Sequence, residues 1–153
     1  MNLAPCVHQL PIEYNIDMAY KDKFRVSVHA VIVDSRGKLL LLKMNYGDKH
    51  WSLPGGAIER GETIYDALKR ECEEELGVRP KILYLSGINY HKKHDSFALI
   101  FRCKLPAKTK IRLSSEHSDF NYFDLKNKEV SPIQRDRVKD CLRFKGKIIS
   151  KIY

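Results

Sequence analysis

The chain has 153 residues, 43% of them hydrophobic and 31% charged, which suits a globular domain able to bury a core and excludes disordered, collagen-like and disulfide-scaffold compositions. Lysine and arginine number 28 against 19 acidic residues, a formal charge of +9 that admits polyanionic partners, nucleotide polyphosphates or RNA, and equally a solvated basic surface. No apolar run approaches a membrane span and no basic start leads into an apolar stretch, so neither a membrane anchor nor a signal peptide is expected.

In chain order, residues 1–22 are expected to be an N-terminal extension and 23–153 one domain, since there is no repeat, low-complexity tract or interdomain linker. Leu3-Ala4-Pro5-Cys6 has the outline of a lipid-attachment motif, but no apolar segment precedes it. Arg25 to Val33 and Leu39 to Met44 predict two strands, and the turn Asp34-Ser35-Arg36-Gly37 predicts that they pair as a hairpin. Trp51-Ser52-Leu53-Pro54-Gly55-Gly56 is a breaker-rich turn whose paired glycines expose backbone groups to a ligand, which makes Gly55, Gly56 and Trp51 substrate-binding candidates. Trp51 either stacks on a base or packs beneath the loop, with packing preferred.

Residues 63 to 76 predict a helix, with Thr63 and Asp66 as a partial capping box and Gly77 as a left-handed C-terminal residue. Tyr65, Leu68, Cys72 and Leu76 fall on one stripe that predicts burial. Glu71, Glu74 and Glu75 lie at i, i+3 and i+4 and so share one arc, where each like-charge pair costs a few tenths of a kcal/mol. A cation is the natural compensation, and an all-carboxylate set suits Mg²⁺ or Mn²⁺ with a phosphorylated substrate better than zinc. Arg70 can orient Glu71 and Glu74, and Glu73 faces the opposite, solvated side.

Beyond the helix, Lys81 to Tyr90 and Ser96 to Leu105 predict a second β pair around a polar, His-rich turn. Asp119 to Phe123 predicts a short strand and Pro132 to Phe144 a helix. His91 and His94 could meet substrate phosphates but suit a hydrated loop better, and His8, His29 and His117 support no metal site. Much of the positive charge falls late, in Lys104, Lys108, Lys110, Arg112 and Arg135 to Lys151, and suits a solvated surface and tail at least as well as an RNA footprint. Cys6, Cys72, Cys103 and Cys141 lack CxxC spacing, which favours free thiols in a reducing cytoplasm.

Gly56, Glu62, Arg70-Glu71-Cys72, Glu74-Glu75 and Gly77-Val78, at their spacings, resemble the complete signature box of the Nudix hydrolases. Seven fixed positions coincide by chance at roughly 10⁻⁸ per register. Cys72 stands where the family usually has an aliphatic residue, a mild departure because a free cysteine is a small hydrophobe. The flanking elements extend the resemblance to most of the chain, and it implies an α/β fold, a Nudix-type α/β/α sandwich with a mixed β-sheet.

The resemblance also implies a reaction: water attacks a phosphorus of a nucleoside diphosphate linked to another moiety, at Mg²⁺ with Mn²⁺ as substitute. By position, Glu71 and Glu75 are implied direct metal ligands, Glu74 a further one, and the Gly56 carbonyl a backbone ligand. Glu62 and Arg70 are implied supports of the catalytic set. The general base stays open between Glu71 and a loop acid, for which Glu116 is the candidate. A small nucleotide, most of all a nucleoside polyphosphate, is the expected substrate, because the proline of ADP-ribose hydrolases has no counterpart near Lys92 and Tyr90 matches the diadenosine polyphosphate pattern imperfectly. RNA 5′-end hydrolysis and a catalytically silent binding module are the alternatives, and monomer and homodimer both stay open.

Overall fold

The computed structural model describes residues 23–153, so the expected extension over 1–22 and Cys6 lie outside the described residues. In chain order the elements are β1 (Arg25–Ile32), β2 (Leu39–Met44), β3 (Trp51–Ser52), β4 (Gly55–Ala57), α1 (Ile64–Leu76), β5 (Lys81–His91), β6 (Ser96–Lys104), β7 (His117–Phe123), α2 (Pro132–Leu142) and β8 (Ile149–Ile152). A five-stranded sheet runs β4-β1-β6-β5-β8 and a three-stranded sheet runs β3-β2-β7. The larger sheet is mixed: β1 pairs β6 in parallel and β4 antiparallel, while β5 pairs β6 antiparallel and β8 in parallel.

The period-2 alternation of strands decides the layering. Val28, Ala30 and Ile32 of β1, with Leu99, Phe101 and Cys103 of β6, meet Ala67, Leu68, Cys72 and Leu76 of α1 in one core. Val31, with Ala98 and Ile100, meets Val138 and Cys141 of α2 in the other. The helices therefore cover opposite faces of the sheet, and the fold is the expected α/β/α arrangement. Leu39 to Leu42 have no exposed side chain and alternate between the two cores, Leu40 and Leu42 into the first, Leu39 and Leu41 into the second. At roughly 1.5–3 kcal/mol for each fully buried leucine, this strand is a principal source of cohesion between the sheets.

That burial corrects the expected hairpin. The turn itself forms: the Asp34 carboxylate accepts the Arg36 and Lys38 amides at 2.9 and 2.8 Å, and Val33 bridges Leu39. Beyond this bridge the strands part, because both edges of β1 are taken by β4 and β6, while β2 pairs with β3 and β7. The breaker-rich turn at 51–56 likewise splits into two short strands in different sheets, and the Pro54 carbonyl between them accepts the Ala30 amide at 2.8 Å. The expected basic tail also needs correction: its end is the edge strand β8, and Lys151 within it pairs with Asp136 and Asp140 of α2 at 2.8 and 2.6 Å. Four residues amid lysines carry too little pattern to declare a strand, so the exposed edge of β5 supplied the pairing.

The helix following Ser131 has both arms of a capping box, with the Ser131 hydroxyl accepting the Gln134 amide and the Gln134 side chain accepting the Ser131 amide. Cys72, Cys103 and Cys141 are free and buried. Among the described residues, no helix is long and apolar enough to cross a membrane.

Candidate active site

Helix α1 begins where expected: Thr63 caps it, accepting the Asp66 amide on its hydroxyl, and Gly77 closes it with a φ of 69°. The like-charge cost along the acidic arc is small beside the burial of Leu68, Cys72 and Leu76, all without exposed surface. A face buried against β1 and β4 thus holds the glutamates at its margin. Tyr65 departs from the expected stripe: it lies one turn too close to the free end of the helix, stays 49% exposed, and only meets Phe101 edge-on at 5.8 Å. Glu73 faces away and pairs with Arg79 at 2.6 Å.

Arg70 is the hub of the acidic arc. Its Nε and Nη2 donate to the two oxygens of Glu62 at 2.7 and 3.0 Å, a bidentate fork. Its Nη1 donates to Glu71 at 2.9 Å and Glu74 at 3.3 Å, and Nη2 also donates to the Ala57 carbonyl at 3.0 Å. One guanidinium thereby ties the start of the helix, its acidic face and strand β4 together. Through this contact Arg70 holds the Glu62 carboxyl well down, to about 2. Glu62 also accepts the Glu59 amide at 3.0 Å, which fixes the loop leading into the helix.

Glu71 and Glu75 reach the glycine strand. The Glu71 carboxyl occupies the space beside Gly56 where a side chain would begin: a Cβ at Gly56 would stand 2.5 Å from Glu71 Cδ. Glu75 is buried, and its Oε2 accepts the Gly55 amide at 2.8 Å. Arg70 does not touch Glu75. Burial, then the charges of Glu71, Glu116 and Glu74, push its carboxyl up to about 8 despite the Gly55 amide. Burial likewise raises Glu71, against the opposing pull of Arg70.

Glu116 lies in the exposed loop before β7. Its carbonyl accepts the Asn45 amide at 2.8 Å, and its carboxylate is near enough to raise both Glu71 and Glu75. Trp51 packs rather than projects: its ring meets Phe123 edge-on at 4.7 Å, and its carbonyl accepts Gln134 Nε2 at 2.8 Å.

The sequence offered no signal for His117. This residue is buried, its Nε2 stands 3.5 Å from Glu75 Oε1, and among the described residues that nitrogen has no hydrogen-bond partner. Burial lowers its pKa, so it faces Glu75 as a neutral imidazole. A lone histidine 42 positions beyond Glu75 becomes its neighbour only because β7 is brought alongside β2.

The candidate donor set comprises Glu71, Glu74 and Glu75 with the Gly56 carbonyl. Every side chain in it is a hard carboxylate, the Gly55–Gly56 backbone lies directly against Glu71 and Glu75, and Glu75 is left among like charges without a cationic partner. These residues fit Mg²⁺ or Mn²⁺. Among the described residues no three acidic, histidine or cysteine side chains stand at mutual metal-holding geometry, and Arg70 sits among Glu62, Glu71 and Glu74.

A mixed sheet between two helices, with an acidic helix set against a diglycine strand, is the arrangement that the sequence resemblance implies. Residues 23–140 match the NUDIX domain family. A MutT-like protein of Streptomyces ambofaciens is 33% identical over 123 residues, covering 79% of each chain. An ADP-ribose pyrophosphatase of Methanocaldococcus jannaschii is 27% identical over 136 residues, covering 81% of this chain and 80% of its own length. An RNA pyrophosphohydrolase of Psychrobacter cryohalolentis is 40% identical over 67 residues, which is 44% of this chain and 38% of its own length. Among solved structures, an ADP-ribose pyrophosphatase from Streptococcus suis superposes with a TM-score of 0.68 at 21% identity, covering 86% of this chain and all of its own. The chain belongs to the Nudix family and is a pyrophosphohydrolase of that family.

Proposed function

We propose that this protein hydrolyses, with Mg²⁺, the pyrophosphate bond of a nucleoside diphosphate linked to another group, with small nucleotides and above all nucleoside polyphosphates as substrates. The observation that carries the reading is the convergence of Glu71 and Glu75 on the Gly55–Gly56 backbone with Arg70 bridging Glu62, Glu71 and Glu74. Glu71, Glu75 and Glu74, with the Gly56 carbonyl, would hold the cation. Bound there, it would supply charge neutralisation on the pyrophosphate and acidify a water for in-line attack.

The chain's own residues do the rest. Arg70 restrains Glu71 and Glu74, removing side-chain freedom that would otherwise be lost when substrate binds. Glu62 holds Arg70 by the fork and stays ionised through it. Glu71, raised by burial beside Gly56, is suited to accept a proton from the attacking water, and Glu116 on its exposed loop is the second candidate for that role. Trp51 anchors the rim of the cleft by packing on Phe123. The reducing cytoplasm is the proposed setting, supported by three buried free thiols.

Nothing in the late basic region favours RNA over a small nucleotide. Lys151 is spent on Asp136 and Asp140, and Arg135 donates to the carbonyls of Leu125, Asn127 and Val130. The test is a panel of nucleoside triphosphates, dinucleoside polyphosphates, ADP-ribose, nucleotide sugars and triphosphorylated RNA, assayed with Mg²⁺, Mn²⁺ and chelator, with products identified. Metal-dependent release of a nucleoside monophosphate from the small polyphosphates is expected. Turnover confined to RNA and falling steeply with salt would replace the reading with end processing, and specific binding without turnover would replace it with a silent module.

A further inference from the structure

On the face of the sheet covered by α2, a cavity of about 330 Å³ is lined by His29, His50, His91 and His94 together with Arg137 and Ser27, among others. Arg137 is 8% exposed, and among the described residues it has no carboxylate within ion-pair distance. The neighbouring acid on its own helix, Asp136, is taken by Lys151 and the Tyr153 hydroxyl. Arg137 Nη2 donates to His91 Nε2, its guanidinium lies 5.2 Å from the centre of the Tyr153 ring, and its buried Nε has no partner. A buried cation left with neutral neighbours and a free donor is costly, so such groups are ordinarily paired.

Of the histidines, His29 and His91 face that charge as neutral rings, their pKa values lowered first by burial. His29 Nε2 is bonded to the Ser27 hydroxyl at 2.9 Å, and that hydroxyl reaches the Phe97 carbonyl at 3.2 Å. Donation from Ser27 to Phe97 leaves His29 Nε2 as the donor. Burial first, then the charges of Arg137 and His91, push the His29 pKa down to about 4, so His29 adds no second cation beside Arg137. A second cavity of about 280 Å³ shares Ser27, Ser96 and His94 with the first and runs to Gly56 and Ala57. The two cavities therefore adjoin, the first holding Arg137 and the second reaching the glycine strand.

We propose that the Arg137 pocket binds a phosphoryl group of the substrate, the one that lies beyond the cleaved pyrophosphate bond. The guanidinium fork supplies the charge and the geometry a phosphate needs, and Ser96 and His94 in the same lining are the further polar partners. This rests on the pyrophosphohydrolase reading for its substrate, and it selects nucleoside tri- and polyphosphates over ADP-ribose, whose group beyond the pyrophosphate is uncharged.

Two measurements test it, one of them independent of turnover. Orthophosphate titrated into the full chain with ¹⁵N-labelled histidine is expected to shift the His29, His91 and His94 imidazole signals saturably. R137Q should weaken that binding at least tenfold, R137K should weaken it less because the charge remains, and E71Q should leave it unchanged. Imidazoles unmoved by phosphate, or equal binding by R137Q and the wild type with unchanged melting temperature, would overturn the site. Should R137Q not fold, R137K carries the comparison, and binding equal to wild type would overturn the fork's role.

In the second measurement, kcat/KM for a nucleoside triphosphate relative to ADP-ribose is expected to fall at least tenfold in R137Q. An equal loss on both substrates would overturn the assignment to substrate and leave a site for free phosphate. Phosphate binding without turnover of any nucleotide would instead count against the hydrolase reading alone.

Discussion

Gly56 is the position where a single added methyl separates catalysis from folding. In G56A the new Cβ would meet Glu71 Cδ at 2.5 Å and both carboxylate oxygens at 2.5 and 2.6 Å. Restoring ordinary contact at 3.4 Å moves the carboxyl by about 0.9 Å. The atoms in the way are the far end of a flexible side chain, and Gly56 is not among the glycines with positive φ, so alanine suits its backbone. The fold should therefore survive, with a melting temperature within a few degrees of wild type and a reduced unfolded-state entropy as partial compensation. Catalysis should not: a displacement of about 1 Å at a reacting centre can cost about 10²-fold in rate. The assay is steady-state hydrolysis with Mg²⁺ on the best nucleotide of the panel, alongside thermal melting. G55A is the control, since its Cβ would stand 2.0 Å from the Val28 carbonyl at a φ of 133° and should disrupt the pairing of β4 with β1. G56A with wild-type kcat/KM and wild-type stability would refute the view that Glu71 works from its seat beside Gly56.

E71Q and E75Q should each lower turnover by orders of magnitude. In metal-free protein E75Q should melt no lower than wild type, because the amide oxygen still accepts the Gly55 N–H and the buried carboxyl is gone; a large drop in melting temperature would instead make Glu75 a structural residue. R70K keeps the charge but loses the fork to Glu62, and a fall of at least tenfold in kcat with the fold intact is expected by circular dichroism and kinetics. E116Q separates the two candidates for general base: a loss as large as that of E71Q would place the base on the loop, and a loss below about tenfold would place it on the helix. His29 gives a pH signature. Its folded pKa of about 4 lies below the ordinary 6.5, so the unfolded chain binds the extra proton first, and stability should fall as pH drops from 6.5 toward 4, by up to roughly 1.4 kcal/mol per pH unit. H29Q should flatten that part of the denaturation profile, and an unchanged slope would count against its burial as a neutral ring.

Local pattern was enough for α1, since Thr63, the 3.6-residue stripe of Leu68, Cys72 and Leu76, and Gly77 are all signals within one helix. The pairing of β5 with β6 was equally legible, being two strands joined by a short turn. Arg70, Glu71 and Glu74 could be grouped in advance for the same reason, because Arg70 and Glu74 at i, i+4 and Glu71 and Glu74 at i, i+3 are neighbours on a helix whatever the rest of the chain does. The bidentate fork to Glu62 extends that cluster by one turn of loop.

What depended on long-range packing was not legible. The hairpin turn at Asp34 was written locally, but the partners of β1 and β2 were decided by which leucines went to which core. The strand β8 existed only once β5 offered an edge. His117 beside Glu75, and Arg137 beside His91 and Tyr153, bring together residues that no spacing rule connects. The sequence by itself determined a family, an acidic helix suited to a metal and the diglycine segment of its motif, because those features are local or carried by a fixed motif. Tertiary structure alone decided the contact of His117 with Glu75 and the burial of Arg137 beside His91, because burial, desolvation and contact between distant strands arise only when the two cores close.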